Sequence, residues 1–556
     1  MQIIIPMSGF GERFRRAGYT VPKPLVEIDG KPIIAHVIDM FPGETDFIFI
    51  CNRDHLNEPA YRMREILEHY CPTGRVVSID PHKLGPIHAV TLATDLFDLD
   101  APTIVNYCDF TCYWDWARFC EFAEQSKCDG AIPAYKGFHP HTLGTTNYAY
   151  MREQDGWVLD IQEKQPYTDN RMEEYASSGT YYFSSARLML EAFGATKSQD
   201  LNVGGEYYVS LAYKPLLAQG KNIAVYPLQH FMQWGTPEDV AEYRGWSDVF
   251  RGYLHREEPT ISPVGSVIVP MAGLGQRFAK EGYTLTKPLI PVSGQPMVVQ
   301  AIHDLPKAES YTFVLRSDMP GFSEISDTLR REYPGALIKT VAEVTEGQAC
   351  TALLGLDEAV NALQQVPEPI TFGACDNGAL YNHDKLAALF ADKETDVIVW
   401  VARSHANAVR HPQMYGWVDE EDGLIKAVSV KVPLSSPTTD PIVLGTFTFR
   451  SAETFRRCVD RMIARDGRVN GEFYLDTCVN DALELGMCCK IFEVDHFISW
   501  GTPNDLRTFE YWQSCFHKWA GHPYRLEHDA RIPAEEVAAL AQRFAPMIPS
   551  LLASRS

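Results

Sequence analysis

Nowhere does the chain approach the roughly 20 consecutive apolar residues that a membrane-spanning helix needs. It also lacks a basic and then apolar leader. Gln2 to Ile5 already read as a strand, so the expected location is the cytoplasm, away from the membrane. The 13 cysteines include no CxxC pair. Cys108 with Cys112, and Cys488 beside Cys489, have neither zinc-ligand spacing nor a histidine at a suitable offset. Buried, reduced thiols are the expectation, against a disulfide scaffold or structural zinc site. Positive charge is scarce: 50 Lys and Arg against 72 Asp and Glu leave a net −22. Phosphodiester polymers are held mainly by cations, so nucleic acid is not expected as a partner. A small anion needs only a local cationic pocket and stays open. No Ser/His/Asp or Cys/His set stands out, and the spacing of His139 and His141 compels no metal site.

What the chain does contain is a repeat. Ile3-Ile4-Ile5-Pro6-Met7-Ser8-Gly9-Phe10-Gly11-Glu12-Arg13-Phe14 leads on to Gly18-Tyr19 and Lys23-Pro24-Leu25. Val267-Ile268-Val269-Pro270-Met271-Ala272-Gly273-Leu274-Gly275-Gln276-Arg277-Phe278 leads on, at the same spacing, to Gly282-Tyr283 and Lys287-Pro288-Leu289. Cys108-Asp109 is matched by Cys375-Asp376, and Trp234-Gly235-Thr236-Pro237 by Trp500-Gly501-Thr502-Pro503. Collinear matches over two halves indicate a duplication. The expected organisation is domain 1 over 1–252, a Pro-containing polar linker over 253–265, domain 2 over 266–512, and an appendage over 513–556. The appendage carries a helix from Pro533 to about Phe544 that suits packing or dimerisation, which leaves a homo-oligomer open.

Apolar strands alternate with helical segments in each copy, which implies an α/β fold. Ile3 to Pro6, Phe47 to Cys51 and Ile104 to Tyr107 read as strands, and Ile33 to Met40 as a helix. Ligands of such sheets lie beyond the carboxyl ends of the strands, so the Gly9/Gly11 turn and Asp109 should face one crevice. Glycines there let backbone N–H groups approach a phosphate. Arg13 adds a planar fork and Lys23 a point charge, a pairing suited to a triphosphate, and both recur as Arg277 and Lys287.

This G-x-G-x-R-F string with its following Lys-Pro-Leu resembles the signature of the sugar-1-phosphate nucleotidyltransferases, which include NDP-sugar pyrophosphorylases and related cytidylyltransferases. The resemblance covers both copies and implies two tandem Rossmann-like nucleotidyltransferase domains with mainly parallel mixed sheets, each with an inserted acceptor-binding half. It implies Mg²⁺, a nucleoside triphosphate (NTP), a phosphorylated acceptor and release of pyrophosphate. Arg13 and Lys23, and Arg277 and Lys287, would hold the triphosphate as the catalytic cations over the glycines Gly9, Gly11, Gly273 and Gly275. Asp109 and Asp376 would bind the metal. Gly85 and Gly347 lie in the place of the base-recognition loop, matched too loosely to name the base.

Glu163-Lys164 resembles the family's acceptor-binding Glu-Lys pair, whereas the second copy reads Val430-Lys431. Gly179 and Gly445, and Glu206 and Glu472, match further acceptor positions. The Tyr-Gly pair of the family is Tyr148-Ala149 in the first copy and Tyr415-Gly416 in the second. The two halves are therefore expected to take different acceptors, or one half to be inactive. A second metal-binding aspartate of the family is replaced by Gln233 and Ser499, and Asp239 and Asp505 read as first-turn helix residues. A glycosyltransferase is the rival class. Its Asp-x-Asp motif is present only as Asp98-Leu99-Asp100, which reads as a solvated turn.

Overall fold

A computed structural model describes residues 1–145, 147–254 and 262–552. Most of the expected linker, residues 255–261, lies outside the described residues. Two compact units result: residues 1–247 with 514–523 and 544–556, and residues 248–513 with 524–543. The helix Pro237–Leu254 runs past residue 252, and the helix Pro503–Lys518 past residue 512. Residues 514–552 are shared between the two units, and the short helix Ala534–Arg543 clusters with the second.

In unit 1, β1 (Gln2–Met7) is apolar on both faces, and Ile3, Ile4 and Ile5 are fully buried, as in a strand covered from both sides. It pairs in parallel with β2 (Asp46–Asn52), which pairs in parallel with β3 (Arg75–Ile79). On its other side β1 pairs in parallel with β4 (Thr103–Asn106). Beyond this parallel layer the strands are β5 (Phe110–Tyr113), β6 (Gly130–Tyr135), β7 (Ala149–Gln154), β8 (Trp157–Glu163), β9 (Tyr175–Ser177), β10 (Thr180–Phe183), β11 (Ile223–Leu228) and β12 (His230–Gln233). The main sheet runs β9-β7-β8-β11-β6-β10-β4-β1-β2-β3, and β5 pairs with β12 in a separate two-stranded sheet. Ile4, Ile48 and Val105 of the parallel layer share one core with Ile132 and Phe183 of the remainder.

Unit 2 supplies β13 (Ser266–Pro270), β14 (Ser310–Arg316), β15 (Leu337–Val341), β16 (Ile370–Phe372), β17 (Asn377–Leu380), β18 (Val397–Ala402), β19 (Gly416–Glu421), β20 (Leu424–Val430), β21 (Ile442–Phe449), β22 (Cys489–Glu493) and β23 (His496–Ser499). Its main sheet runs β15-β14-β13-β16-β21-β18-β22-β20-β19, which is strand for strand the order of unit 1. The continuous β21 stands where unit 1 has β9 and β10.

The expectation of mainly parallel sheets needs correcting for the acceptor half. There β10 runs antiparallel to both β4 and β6, and β7 runs antiparallel to β8. The cause is local. Asp155-Gly156 joins β7 to β8 with φ of 52° and 81°, and Asp422-Gly423 joins β19 to β20 with 53° and 81°. An Asp-Gly pair with both φ positive makes the tight turn whose twist suits a hairpin, and a hairpin is antiparallel.

Candidate active site

The first turn is built by Gly11, whose φ of 62° opens the helix Glu12–Arg16 in the left-handed region. Gly275 repeats it with 62° before the helix Gln276–Lys280. Neighbouring side chains fix the turn. Asn52, at the end of β2, donates to the Ser8 carbonyl at 3.3 Å. At the same place on β14, buried Arg316 donates to the carbonyls of Ala272 at 2.9 Å and Gly273 at 3.0 Å. Neither residue was expected from the sequence, because a strand-end polar residue gives no signal until the turn it holds is known.

A cavity of about 540 Å³ lies over this turn, lined by Gly9, Gly11, Arg13, Lys23, Gly85, Asp109 and Glu206. A second cavity of about 270 Å³ is lined by Glu163, Lys164 and Gly179, and shares Arg13, Lys23 and Asp109 with the first. The cations and the aspartate therefore stand where the two spaces meet. Lys23 Nζ donates to Asp109 Oδ2 at 2.8 Å. Burial alone would push Lys23 down, but the charge and hydrogen bond of Asp109 outweigh it and hold the ammonium above its ordinary value. Arg13, by contrast, is ion-paired to no carboxylate among the described residues.

Unit 2 repeats the glycine-turn side of this arrangement. Gly273, Gly275, Arg277, Lys287, Gly347 and Glu472 line a cavity of about 620 Å³. Lys287 donates to Asp376, and its pKa is likewise raised, with burial opposed by that carboxylate. Lys431, Gly445 and Asp376 are not among the residues lining this cavity. Asp376 touches it through Gly501, where an added Cβ would meet the carboxylate at 3.3 Å.

Gly85 and Gly347 have a packing reason for being glycine. At φ of 85°, a Cβ on Gly85 would lie 2.6 Å from the Tyr207 backbone N. On Gly347, at φ of 139°, it would lie 2.5 Å from that of Phe473. Hydrogen bonds clamp the same contact: Ile87 N–H donates to the Tyr207 carbonyl at 3.1 Å, and Ala349 N–H to that of Phe473 at 3.0 Å. The loop expected to read the base is thus tied to the loop that carries Glu206 or Glu472.

In the acceptor half, Glu163 Oε2 accepts from Ser210 Oγ at 2.5 Å. Burial raises the Glu163 pKa, opposed by that bond and by Lys164. Lys164, at φ of 59°, donates to the Tyr208 hydroxyl at 2.6 Å, and that hydroxyl donates to Glu206. Lys431 has the matching φ of 62° but donates to the Met414 carbonyl, and burial lowers its pKa. Gly179, at φ of 100°, leaves only 3.0 Å between an added Cβ and the Phe110 ring.

Asp239 and Asp505 each close a capping box. Thr236 N–H donates to Asp239 Oδ2 at 2.9 Å while Asp239 N–H returns to Thr236 Oγ1 at 3.2 Å. Thr502 and Asp505 do the same at 3.1 Å each way. Gln233 also donates to Asp239, and Ser499 to Asp505 at 3.2 Å. Asp98 and Asp100 sit in an exposed turn, with Asp100 paired to Arg187 at 2.8 Å.

The family model for the nucleotidyl transferases matches residues 2–249. That match falls on the first half of the chain. The chain is 24% identical to a mannose-1-phosphate guanyltransferase of Schizosaccharomyces pombe over 293 residues, 50% of this chain and 73% of that protein. A mannose-1-phosphate guanyltransferase of Neurospora crassa is 30% identical over 154 residues, 26% of this chain and 40% of that protein. Among solved structures, a nucleoside-diphosphate-sugar pyrophosphorylase from Vibrio cholerae is 22% identical with a TM-score of 0.36, covering 44% of this chain and 99% of that one. The protein is an enzyme of the nucleotidyltransferase class, and no helix among its described residues is long and apolar enough to cross a membrane.

Proposed function

We propose that both units are nucleotidyltransferases, each joining a nucleoside triphosphate to a phosphorylated small molecule with release of pyrophosphate. The acceptors are different in the two units. The observation that carries this reading is the position of an unpaired arginine and an aspartate-bound lysine between a glycine-turn cavity and an acceptor cavity. Arg277 and the aspartate-bound Lys287 recur over the glycine-turn cavity of unit 2, which extends the reading to that unit.

An acceptor phosphate oxygen attacks the α-phosphorus of the nucleotide. The new bond joins that oxygen to the α-phosphorus, and the bond from the α-phosphorus to the bridging oxygen breaks. The electron pair leaves with pyrophosphate. A phosphate monoester is already anionic, so no general base is needed. The protein contributes positioning and charge stabilisation. Arg13 and Lys23 hold the charge that grows on the leaving group in unit 1, and Arg277 and Lys287 in unit 2. Glu163 and Lys164 hold the acceptor in unit 1, and a sugar phosphate fits this pair, as the names of the relatives suggest.

Mg²⁺ suits the donor set. Among the described residues no three of His, Cys, Asp and Glu come together as a metal cage. Mg²⁺ is commonly held by one or two carboxylates with substrate phosphates completing its shell. Asp109 and Asp376 would hold it, and it would supply charge neutralisation on the phosphates. Asp239 and Asp505 are already engaged by their capping boxes.

The test is pyrophosphate release by the purified protein with Mg²⁺, each common nucleoside triphosphate and a panel of phosphorylated acceptors. Release that depends on the acceptor and falls in Asp109→Ala or Asp376→Ala supports the reading. Hydrolysis of a nucleotide sugar with no release of pyrophosphate from any triphosphate would favour the glycosyltransferase class instead.

A further inference from the structure

The two acceptor halves differ at three positions that sit together. In unit 1, Glu163 ends β8 opposite Ala149 of β7, and its carboxylate is 2.5 Å from Ser210 Oγ. In unit 2, the residue ending β20 opposite Gly416 of β19 is Val430. Four residues beyond Glu206 stands Ser210, and four beyond Glu472 stands Asp476. The carboxylate lost from the strand is thus matched by one gained on the facing segment.

The geometry of Asp476 supports exchange over coincidence. It is buried, on the first turn of the helix Leu475–Glu484, where an acidic side chain would ordinarily face water and the helix dipole. Its Oδ2 lies instead against Gly416, where an added Cβ would meet it at 2.1 Å. The alanine at the matching position of unit 1 could not stand there. Lys431, the counterpart of Lys164, has Asp476 as the foremost of its favourable charges, followed by Glu472, with Arg277 opposing. The Glu163 carboxylate touches Ser210, and Asp476, at the position matching Ser210, lies against Gly416, the residue paired with Val430, so the two carboxylates come to matching places from facing segments.

We infer that Asp476 is the acceptor-binding carboxylate of unit 2, taking over from the opposite wall the hydroxyl contact made in unit 1 by Glu163, so that unit 2 selects a hydroxyl-bearing phosphate monoester of a different shape. Gly416 and Val430 belong to the same exchange: one makes room for the carboxylate, and the other vacates the former position. This inference rests on the reading of unit 2 as an active nucleotidyltransferase.

The experiment uses the full chain with unit 1 silenced by Lys23→Ala, and a panel of sugar 1-phosphates, inositol 1-phosphate and glycerol 3-phosphate as acceptors. Asp476→Asn is expected to raise the acceptor KM at least about tenfold, with the nucleotide KM unchanged within about twofold. An acceptor KM that does not move overturns the inference and leaves the proposed function standing. No turnover by Lys23→Ala with any acceptor brings down the reading of unit 2 and the inference with it. A second measurement needs no turnover. Gly416→Ala should lower Tm in the otherwise unaltered chain and much less in an Asp476→Ser background. An equal drop in both backgrounds would contradict the placement of the carboxylate.

Discussion

The proposed nucleotide side matches closely between the two units, and the proposed acceptor side does not. On the nucleotide side, Gly11 and Gly275 share the same φ, Lys23 and Lys287 pair with equivalent aspartates, and Gly85 and Gly347 meet equivalent backbones. On the acceptor side, Glu163 accepts from Ser210 where unit 2 has Val430 and, against Gly416, Asp476, and Lys164 and Lys431 choose different partners. Phosphates and their charge demand the same fork, point charge and backbone donors whichever molecule is being activated. An acceptor is recognised through its hydroxyls, and a hydrogen-bonding site rejects a molecule that leaves its polar groups unpaired. On the proposed reading, the matching side carries the chemistry and the differing side the choice of substrate.

The largest expected effect tests whether the two nucleotide sides are separate engines. Lys23→Ala should cost unit 1 on the order of 10²–10³ in kcat, as loss of a charge-stabilising donor does, with the turnover of unit 2 unchanged. Lys287→Ala should do the reverse. Steady-state pyrophosphate release with each acceptor reads both.

Acid should separate the units next. Burial pushes His36 and His139 of unit 1 down to about 4, and His405 of unit 2 to about 4. Each imidazole is neutral when folded and takes up a proton near 6.5 once unfolded. The stability it contributes is complete above that value and is lost as pH falls toward 4. At on the order of 3 kcal/mol per histidine, unit 1 should lose more than unit 2. Hydrogen exchange of β6 against β18 between pH 7 and 4.5 would show it, and equal loss would refute it.

Gly85→Ala and Gly347→Ala force a Cβ into backbone at a positive φ, a strain of about 1–3 kcal/mol. The two should cost the same in Tm, because this side of the units matches. A large difference would mean that the base loops are built differently. The smallest effect is at the capping boxes: Thr236→Ala and Thr502→Ala should each cost about 1 kcal/mol by chemical denaturation.

Much of this was legible in the sequence, because the nucleotide side is written in local signals. A buried apolar strand, two glycines and a nearby arginine and lysine are contiguous, and their repetition fixed the correspondence between Lys23 and Lys287. Asp155-Gly156 and Asp422-Gly423 were equally local and announce the antiparallel hairpins that the expectation of mainly parallel sheets passed over. Ser210 and Asp476 were hidden for another reason. Ser210 acts against Glu163, 47 residues earlier, and Asp476 lies against Gly416, further back still, so their meaning depends on contacts that spacing does not encode. Asn52 and Arg316 differ in type and hold the same turn, so even comparing the two copies would not have paired them.

The most direct test of two active units with different acceptors is acceptor-dependent pyrophosphate release by the unaltered protein, Lys23→Ala, Lys287→Ala and the double variant, across one panel of phosphate monoesters. The account predicts that each single variant loses one set of acceptors and keeps the other, and that the double variant loses both. If Lys287→Ala leaves every rate unchanged while Lys23→Ala abolishes them all, the second unit is not an enzyme and the account is wrong.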